Sequence, residues 1–366
     1  MDQHISVEAL KRVYPWIKTP LIISAPMRLI AGPNLALEVS QAGGLGFVGP
    51  GTNPTDAATN LRVTRAKLEE ELPGWQKLFW GSAASEVLPI GIGFFVWAGN
   101  LAQAVDAVRL HRPAAVWLFA PRNGQADLDT WMSSIRAAAP KTQIWLQVGS
   151  VKDALGALRS THAPDLLVLQ GTDAGGHGLV SGASIVSLIP EVADAVESDD
   201  QLKKKRIPLI AAGGIADGRG VAAAMALGAS GAVMGTRFLA SISAQIPSGY
   251  KGHVVRATDG GQATRRTSLY DSLRGTTEWP SNFNARGLTN QSFEDDVAGM
   301  AFDENKTRYD EALAASDQTW GVDGRLTTYA GTAVGLVRGI QTAREIVEST
   351  RDQAGSILSR MSSMAA

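Results

Sequence analysis

The sequence predicts an α/β fold, a (β/α)8 barrel of the TIM type with a small second domain or cap, on three observations. Short runs of Ile, Val, Leu, Phe and Ala without polar alternation recur eight times between Leu21 and Met234. Strands buried on both faces of a parallel sheet read this way. A segment of helical period follows nearly every run, and eight such units exceed the five or six strands at which an open doubly wound sheet usually stops.

Taken in order, the strand runs are Leu21 to Met27, Leu45 to Val48, Leu88 to Phe95, Ala114 to Ala120, Gln143 to Val148, Leu166 to Gln170, Pro208 to Ala212 and Gly231 to Met234. The helical segments between them are Leu35 to Ala42, Thr55 to Leu72, Leu101 to His111, Asp127 to Ala139, Val151 to Ser160, Ile185 to Val196 and Arg219 to Leu227. After Phe238 the rhythm breaks into polar, turn-rich sequence with one charged helical stretch, Phe302 to Ala315. From Ala330 to Ser359 helix is expected again, with Leu336, Ile340, Ala343, Ile346 and Val347 at spacings of three and four. The expected division is a barrel from 1–240 and 326–366, and a cap from 241–325.

Composition bounds the function. In 366 residues, 34 Lys and Arg stand against 35 Asp and Glu, so no basic field exists to hold nucleic acid or an anionic membrane. The run Lys203 to Arg206, following acidic residues, reads as a solvated loop. The absence of cysteine excludes disulfides, thiol nucleophiles, Fe–S clusters and Cys-ligated zinc. The N-terminus lacks an apolar signal core, and no apolar run reaches the ~18 residues of a membrane span, so a soluble, cytoplasmic protein is expected. Monomer and homodimer both stay open.

Chemistry in such a barrel sits at the C-terminal ends of the strands, with phosphate commonly at the loops after strands seven and eight. There Gly213 and Gly214 open a helix, and Gly235, Thr236 and Arg237 follow the last strand. Bare backbone amides, a helix N-terminus, a hydroxyl and a cation are the parts of a phosphate cradle. After strand six comes Gly171-Thr172-Asp173-Ala174-Gly175-Gly176-His177-Gly178. His177, held among glycines at the barrel mouth, is the candidate general base or proton donor. The other histidines, His4, His111, His162 and His253, lie at a terminus, at helix ends or in the irregular region.

Other signals fail. Gly44, Gly46 and Gly49 spell a dinucleotide fingerprint but enter a strand instead of linking strand to helix. No strand end carries a Schiff-base lysine, and no cluster of His and carboxylates suits a metal. The nine Trp are expected in the core, with Trp97 placed to line the site.

Ala25-Pro26-Met27, Gln41 to Gly46, Gln170 to His177, Ala211 to Ile215 and Met234 to Phe238 together resemble the nitronate monooxygenase family, formerly the 2-nitropropane dioxygenases. The likeness extends to Tyr329-Ala330-Gly331 and Val334-Gly335-Leu336. It implies an FMN-dependent barrel that oxidises alkyl nitronates or nitroalkanes with O2 to a carbonyl compound and nitrite. By the same resemblance Ala25, Pro26 and Met27 lie at the isoalloxazine, and Gln170, Gly175 and Gly176 touch the flavin and ribityl chain. Gly213, Gly214, Gly235 and Thr236 hold the phosphate, and Gln147, Ala212 and Met234 join the cofactor set. His177 matches the catalytic histidine, which takes the α-proton or steadies the nitronate.

Two positions depart from the pattern. Gly93 stands where bacterial members carry Asn, and Val233 where many have Gln. Two alternatives stay open: an FMN-dependent NAD(P)H reductase of quinone or enoyl type, and a flavin-free barrel acting on phosphorylated metabolites.

Overall fold

The computed structural model describes residues 3–365 except 54, 83 and 316–318. The eight expected runs form strands, all paired in parallel: β1 (Ile22–Ser24), β2 (Phe47–Val48), β3 (Leu88–Phe95), β4 (Pro113–Phe119), β5 (Gln143–Val148), β6 (Leu166–Gln170), then, after an extra strand β7 (Gly176–Leu179), β8 (Leu209–Ala212) and β9 (Gly231–Met234). Their order is β1-β9-β8-β6-β5-β4-β3-β2. The two ends meet at a parallel bridge between Ile23 and Leu45, with Leu45 N–H donating to Ile22 at 3.1 Å and Ser24 N–H to Leu45 at 3.3 Å. The sheet closes into the (β/α)8 barrel that the alternation predicts.

The inside is packed, not hollow. Phe47, Trp117 and Trp145 interleave with centroids 5.0–6.0 Å apart, and a side chain at Gly91 would strike the Phe47 ring. At the N-terminal end of the strands Tyr14, which follows the helix Gln3–Val13, accepts from Trp145 Nε1 at 2.9 Å; both residues are fully buried. Outside, helices fall within a few residues of their expected bounds, and several start on side-chain caps, among them Asn100, Ser150 and Ser184.

The C-terminal expectation needs correction. The α-helix begins at Ala343, not Ala330, and the preceding stretch holds only a short 3-10 turn, Thr332–Leu336. Gly331, Gly335 and Gly339 interrupt the pattern, and Thr342 and Glu345 form a reciprocal capping box: Glu345 takes the Thr342 amide at 2.8 Å and Thr342 Oγ1 the Glu345 amide at 3.1 Å. The helix then packs on Gly218–Ala226 so closely that a Cβ at Gly218 would lie 2.5 Å from the Ala354 amide.

The region read as irregular is mostly structured. It holds helices Ser248–Arg256, Gly260–Ala263, Leu269–Arg274, Gln291–Val297 and Phe302–Ala314, and strands β10 (Thr264–Thr267) and β11 (Phe283–Leu288). Residues 316–318 of the expected cap lie outside the described residues. The polar strands escape the sequence pattern because β10, Thr-Arg-Arg-Thr, holds no apolar residue and Asn284, Arg286 and Gly287 break the alternation of β11. Their sheet has the order β10-β11-β7, antiparallel throughout, so the loop after β6 supplies its third strand and Ala285 sits opposite His177.

Replacing Tyr14 with Phe leaves the Trp145 indole without its acceptor in a dry interior. This change is expected to lower stability by about 1–3 kcal/mol, seen as a lower denaturant midpoint, while activity at the opposite barrel mouth stays at the wild-type level; an unchanged midpoint would show that the bond contributes nothing.

Candidate active site

At the C-terminal ends of the strands a cavity of about 690 Å³ opens between barrel and cap. The structure places Ala25, Pro26, Met27, Gln147, Gln170, Gly175, Gly176, His177, Ala212, Gly213, Gly214, Gly235 and Thr236 on its wall. Met234 is not there: its side chain is fully buried, and its carbonyl accepts from the Ala25 amide at 3.1 Å. Trp97 also stands back, packed behind Trp279 with centroids 5.0 Å apart.

The glycine turn after β8 holds left-handed backbone, with φ of +100° at Gly213 and +74° at Gly214, a region that favours glycine. A Cβ at Gly213 would come within 2.8 Å of the Gly171 carbonyl. The helix N-terminus next to it is not open, contrary to the sequence reading. Asp217 takes the Arg219 and Gly220 amides at 2.9 and 3.4 Å, and Gln353 takes that of Gly218 at 2.7 Å. Arg237 also turns away, donating to the Gly339 carbonyl and Gln341 Oε1. Thr236 Oγ1 accepts from the Gly331 amide at 2.9 Å, so its hydroxyl proton remains available as a donor.

The side-chain amides are partly committed. Gln147 Oε1 accepts from Trp117 Nε1 at 2.9 Å, and Gln170 Nε2 donates to the His177 carbonyl at 3.1 Å. Gly93 and Val233, the departures from the family pattern, both lie on the wall. A Cβ at Gly93 would sit 2.5 Å from the Pro26 ring, so Pro26 fills the space a side chain at 93 would need.

His177 is built into β7, and the cap surrounds it. Its Nε2 lies 3.0 and 2.9 Å from the two oxygens of Asp271, which is 5% exposed. Asp271 Oδ1 also accepts from the Tyr329 hydroxyl at 2.9 Å and from Thr276 at 3.1 Å. Trp279 stacks flat on the imidazole, 3.6 Å between centroids and 8° between planes. Burial, then the Asp271 charge, pushes the Tyr329 phenol up, which keeps it a donor. Sequence reasoning missed Asp271, Trp279 and Tyr329 as partners of His177; no motif marks the first two, and Tyr329 carried only the resemblance.

Two cap arginines fix the loop that carries His177. Arg266 donates to the Gly178 and Asn284 carbonyls, each at 2.8 Å, and Arg286 donates to the Thr172 carbonyl at 3.2–3.3 Å. Burial and the neighbouring Arg286 push the Arg266 guanidinium down to about 10. Two further arginines, Arg28 and Arg274, line the cavity. Burial and then the Arg274 charge lower Arg28, and its Nε is buried without a partner. Arg274 lies 5.5 Å from the Tyr329 ring centroid. Among the described residues no group of His and carboxylates is arranged to hold a metal, and no helix is long and apolar enough to cross a membrane.

The chain has relatives among known proteins in both sequence and fold. Residues 124–350 match the family model of nitronate monooxygenase. Nitronate monooxygenase npaC of Metarhizium robertsii is 52% identical over 352 residues, 96% of this chain and 95% of that protein. A nitronate monooxygenase of Neurospora crassa is 36% identical over 371 residues, 96% and 94% of the two chains. Among solved structures, FabK from Thermotoga maritima superposes with a TM-score of 0.70 at 23% identity over 97% and 98% of the chains, and nitroalkane oxidase from Streptomyces ansochromogenes with 0.67 at 21% over 96% and 99%. At those identities the structures speak for the fold, and the sequence matches speak for kinship: this oxidoreductase belongs to the nitronate monooxygenase family.

Proposed function

We propose that the protein is an FMN-dependent enzyme that oxidises alkyl nitronates or their parent nitroalkanes with O2 to a carbonyl compound and nitrite. The observation that carries the reading is His177, its ring held between Asp271 and Trp279 on the wall of a cavity whose other side is bare glycine backbone.

The cavity suits FMN. At Gly213 and Gly214 a Cβ would crowd the turn, and among the described residues their amides meet no acceptor there. With the Thr236 hydroxyl and the Gly235 backbone they make a phosphate cradle of neutral donors. Ala25, Pro26 and Met27 would flank the flavin ring, and Gln147, Gln170, Ala212, Gly175 and Gly176 its polar edge and ribityl chain. Bound there, FMN would supply the electron transfer that no side chain of this cysteine-free protein offers.

The chain's own residues supply the rest. His177 takes the acidic α-proton of a nitroalkane, a C–H bond breaking as an N–H bond forms, or faces the anion once made. Arg28 and Arg274 favour an anionic substrate over a neutral one by Coulomb attraction in a partly dry cavity. Phe95, Phe119, Trp279 and Phe283, with centroids 5.0–6.4 Å apart, exclude water beside His177.

His177→Ala is expected to keep FMN and lose about 10²- to 10⁴-fold in kcat/KM for nitroalkanes, read as nitrite release; full turnover would remove His177 as the base. Thr236→Val is expected to weaken FMN binding by about 1.5–3 kcal/mol, measured by quenching of flavin fluorescence, and wild-type affinity would take Thr236 out of the cradle. In anaerobic mixing with NADH or NADPH the flavin absorbance is expected to persist, whereas rapid bleaching would turn the assignment to a reductase.

A further inference from the structure

The cap brings Asp271 to His177, and nothing in the motif-bearing loops accounts for that carboxylate. It is buried on the short helix Leu269–Arg274, with both oxygens within hydrogen-bond reach of Nε2. Its Oδ1 also accepts from the Tyr329 hydroxyl and from Thr276 Oγ1. An acceptor so surrounded demands a proton on its imidazole partner, so Nε2 must be the N–H nitrogen. In a neutral ring that leaves the lone pair on Nδ1, which has no hydrogen-bond partner among the described residues. Trp279, stacked within 8° of coplanar, stops the ring from turning over to exchange the two nitrogens.

We propose that Asp271 is a positioning residue that fixes His177 as the Nε2–H tautomer, making Nδ1 the atom that accepts the α-proton of a nitroalkane. The proposal rests on the reading of His177 as the base. When Nδ1 takes that proton the ring becomes a cation, and the carboxylate 2.9 Å from Nε2 stabilises the charge without taking a proton itself. Tyr329 and Thr276 in turn hold Asp271, and Arg274, seated over the Tyr329 ring, and Arg28 are further charged groups near the cluster. A substrate that arrives as nitronate has already lost its proton and needs this device less.

The decisive variant is Asp271→Asn in the FMN-loaded protein. A carboxamide can present its NH2 to Nε2 and reverse the tautomer, which leaves Nδ1 protonated and useless as a base. Expected is a loss in kcat of about 10²- to 10⁴-fold on a neutral primary nitroalkane, against less than about tenfold on the same compound supplied as preformed nitronate. Nitrogen-15 NMR of labelled His177 should show the proton moving from Nε2 to Nδ1, and Asp271→Glu should recover part of the nitroalkane turnover. Tyr329→Phe, which keeps the carboxylate and removes one of its donors, should show the same bias toward nitronate at a loss of only a few-fold; it decides the matter if Asp271→Asn does not fold. Equal losses on both substrates, or a wild-type tautomer in Asp271→Asn, would overturn the proposal. Should His177→Ala keep full nitroalkane turnover, the base reading itself falls, whereas loss in His177→Ala with none in Asp271→Asn sinks only the role of Asp271.

Discussion

The antiparallel pairing of β7 with β11 is the contact on which the site depends. Gly176–Leu179 belongs by sequence to the loop after β6, yet its hydrogen bonds run to Phe283–Leu288. His177 is therefore set by two parts of the chain that are more than a hundred residues apart, and its partners Asp271 and Trp279 come from the segment just before the second of them. Arg266 and Arg286 reinforce the junction by donating to carbonyls of the loop, and neither forms an ion pair among the described residues. A half-buried guanidinium must have its N–H donors satisfied, and here the loop carbonyls satisfy them, so moving the loop strips donors that burial keeps from water. The junction thus behaves as a unit: disturbing the cap sheet moves the histidine as well.

Barrel and cap divide the chemistry along the same line. The barrel contributes backbone without side chains, at Gly175, Gly213, Gly214 and Gly235, together with the amides of Gln147 and Gln170. The cap contributes Asp271, Trp279 and Arg274, and the segment after it contributes Tyr329. A closed parallel barrel presents only its strand ends and the loops that follow them, because the strands are otherwise covered on both faces. Charges and rings that must meet at defined angles come instead from elements that can be laid over the mouth. The flat stack of Trp279 on His177 needs both: the strand fixes the imidazole, and the chain between Leu269–Arg274 and β11 brings the indole down on it.

The barrel was readable in the sequence because most of its strands are buried on both faces and carry nearly continuous apolar runs; β4 is buried at every position. His177 and the glycines of the cavity wall were readable for a related reason, since they occupy the loop directly after such a strand. The cap was not. β10 reads Thr264-Arg265-Arg266-Thr267, where Arg266 serves the junction and Arg265 bonds carbonyls of its own segment, so neither a period of 2 nor of 3.6 survives. Asp271 was invisible for a different reason: an aspartate in a six-residue helix looks like ordinary surface charge until the fold buries it against His177. Met234 and Arg237 show the converse error, as nearness in sequence to the Gly235 turn did not bring either side chain to the cavity.

The glycine turn after β8 shows how local chemistry decides between two devices that look alike in sequence. A glycine pair followed by a helix suggests an anion held on the helix dipole. Here Asp217 occupies that helix end, accepting from Arg219 and Gly220 and paired with the Arg219 side chain at 2.5 Å, while Gln353 from the C-terminal helix takes the next amide. A carboxylate in that place repels a second anion, so the dipole serves the fold and not a ligand. What remains open to the cavity is the left-handed turn at Gly213 and Gly214, with Gly235 and Thr236 on the same wall. Thr236 is held there by the Gly331 amide, and Thr332 in the same segment donates from its own amide to the Asp173 carbonyl at 3.0 Å. The three glycines that keep residues 330–342 out of the C-terminal helix therefore have a positive use: they leave a non-helical strap that fixes the hydroxyl on one side and the loop leading to His177 on the other.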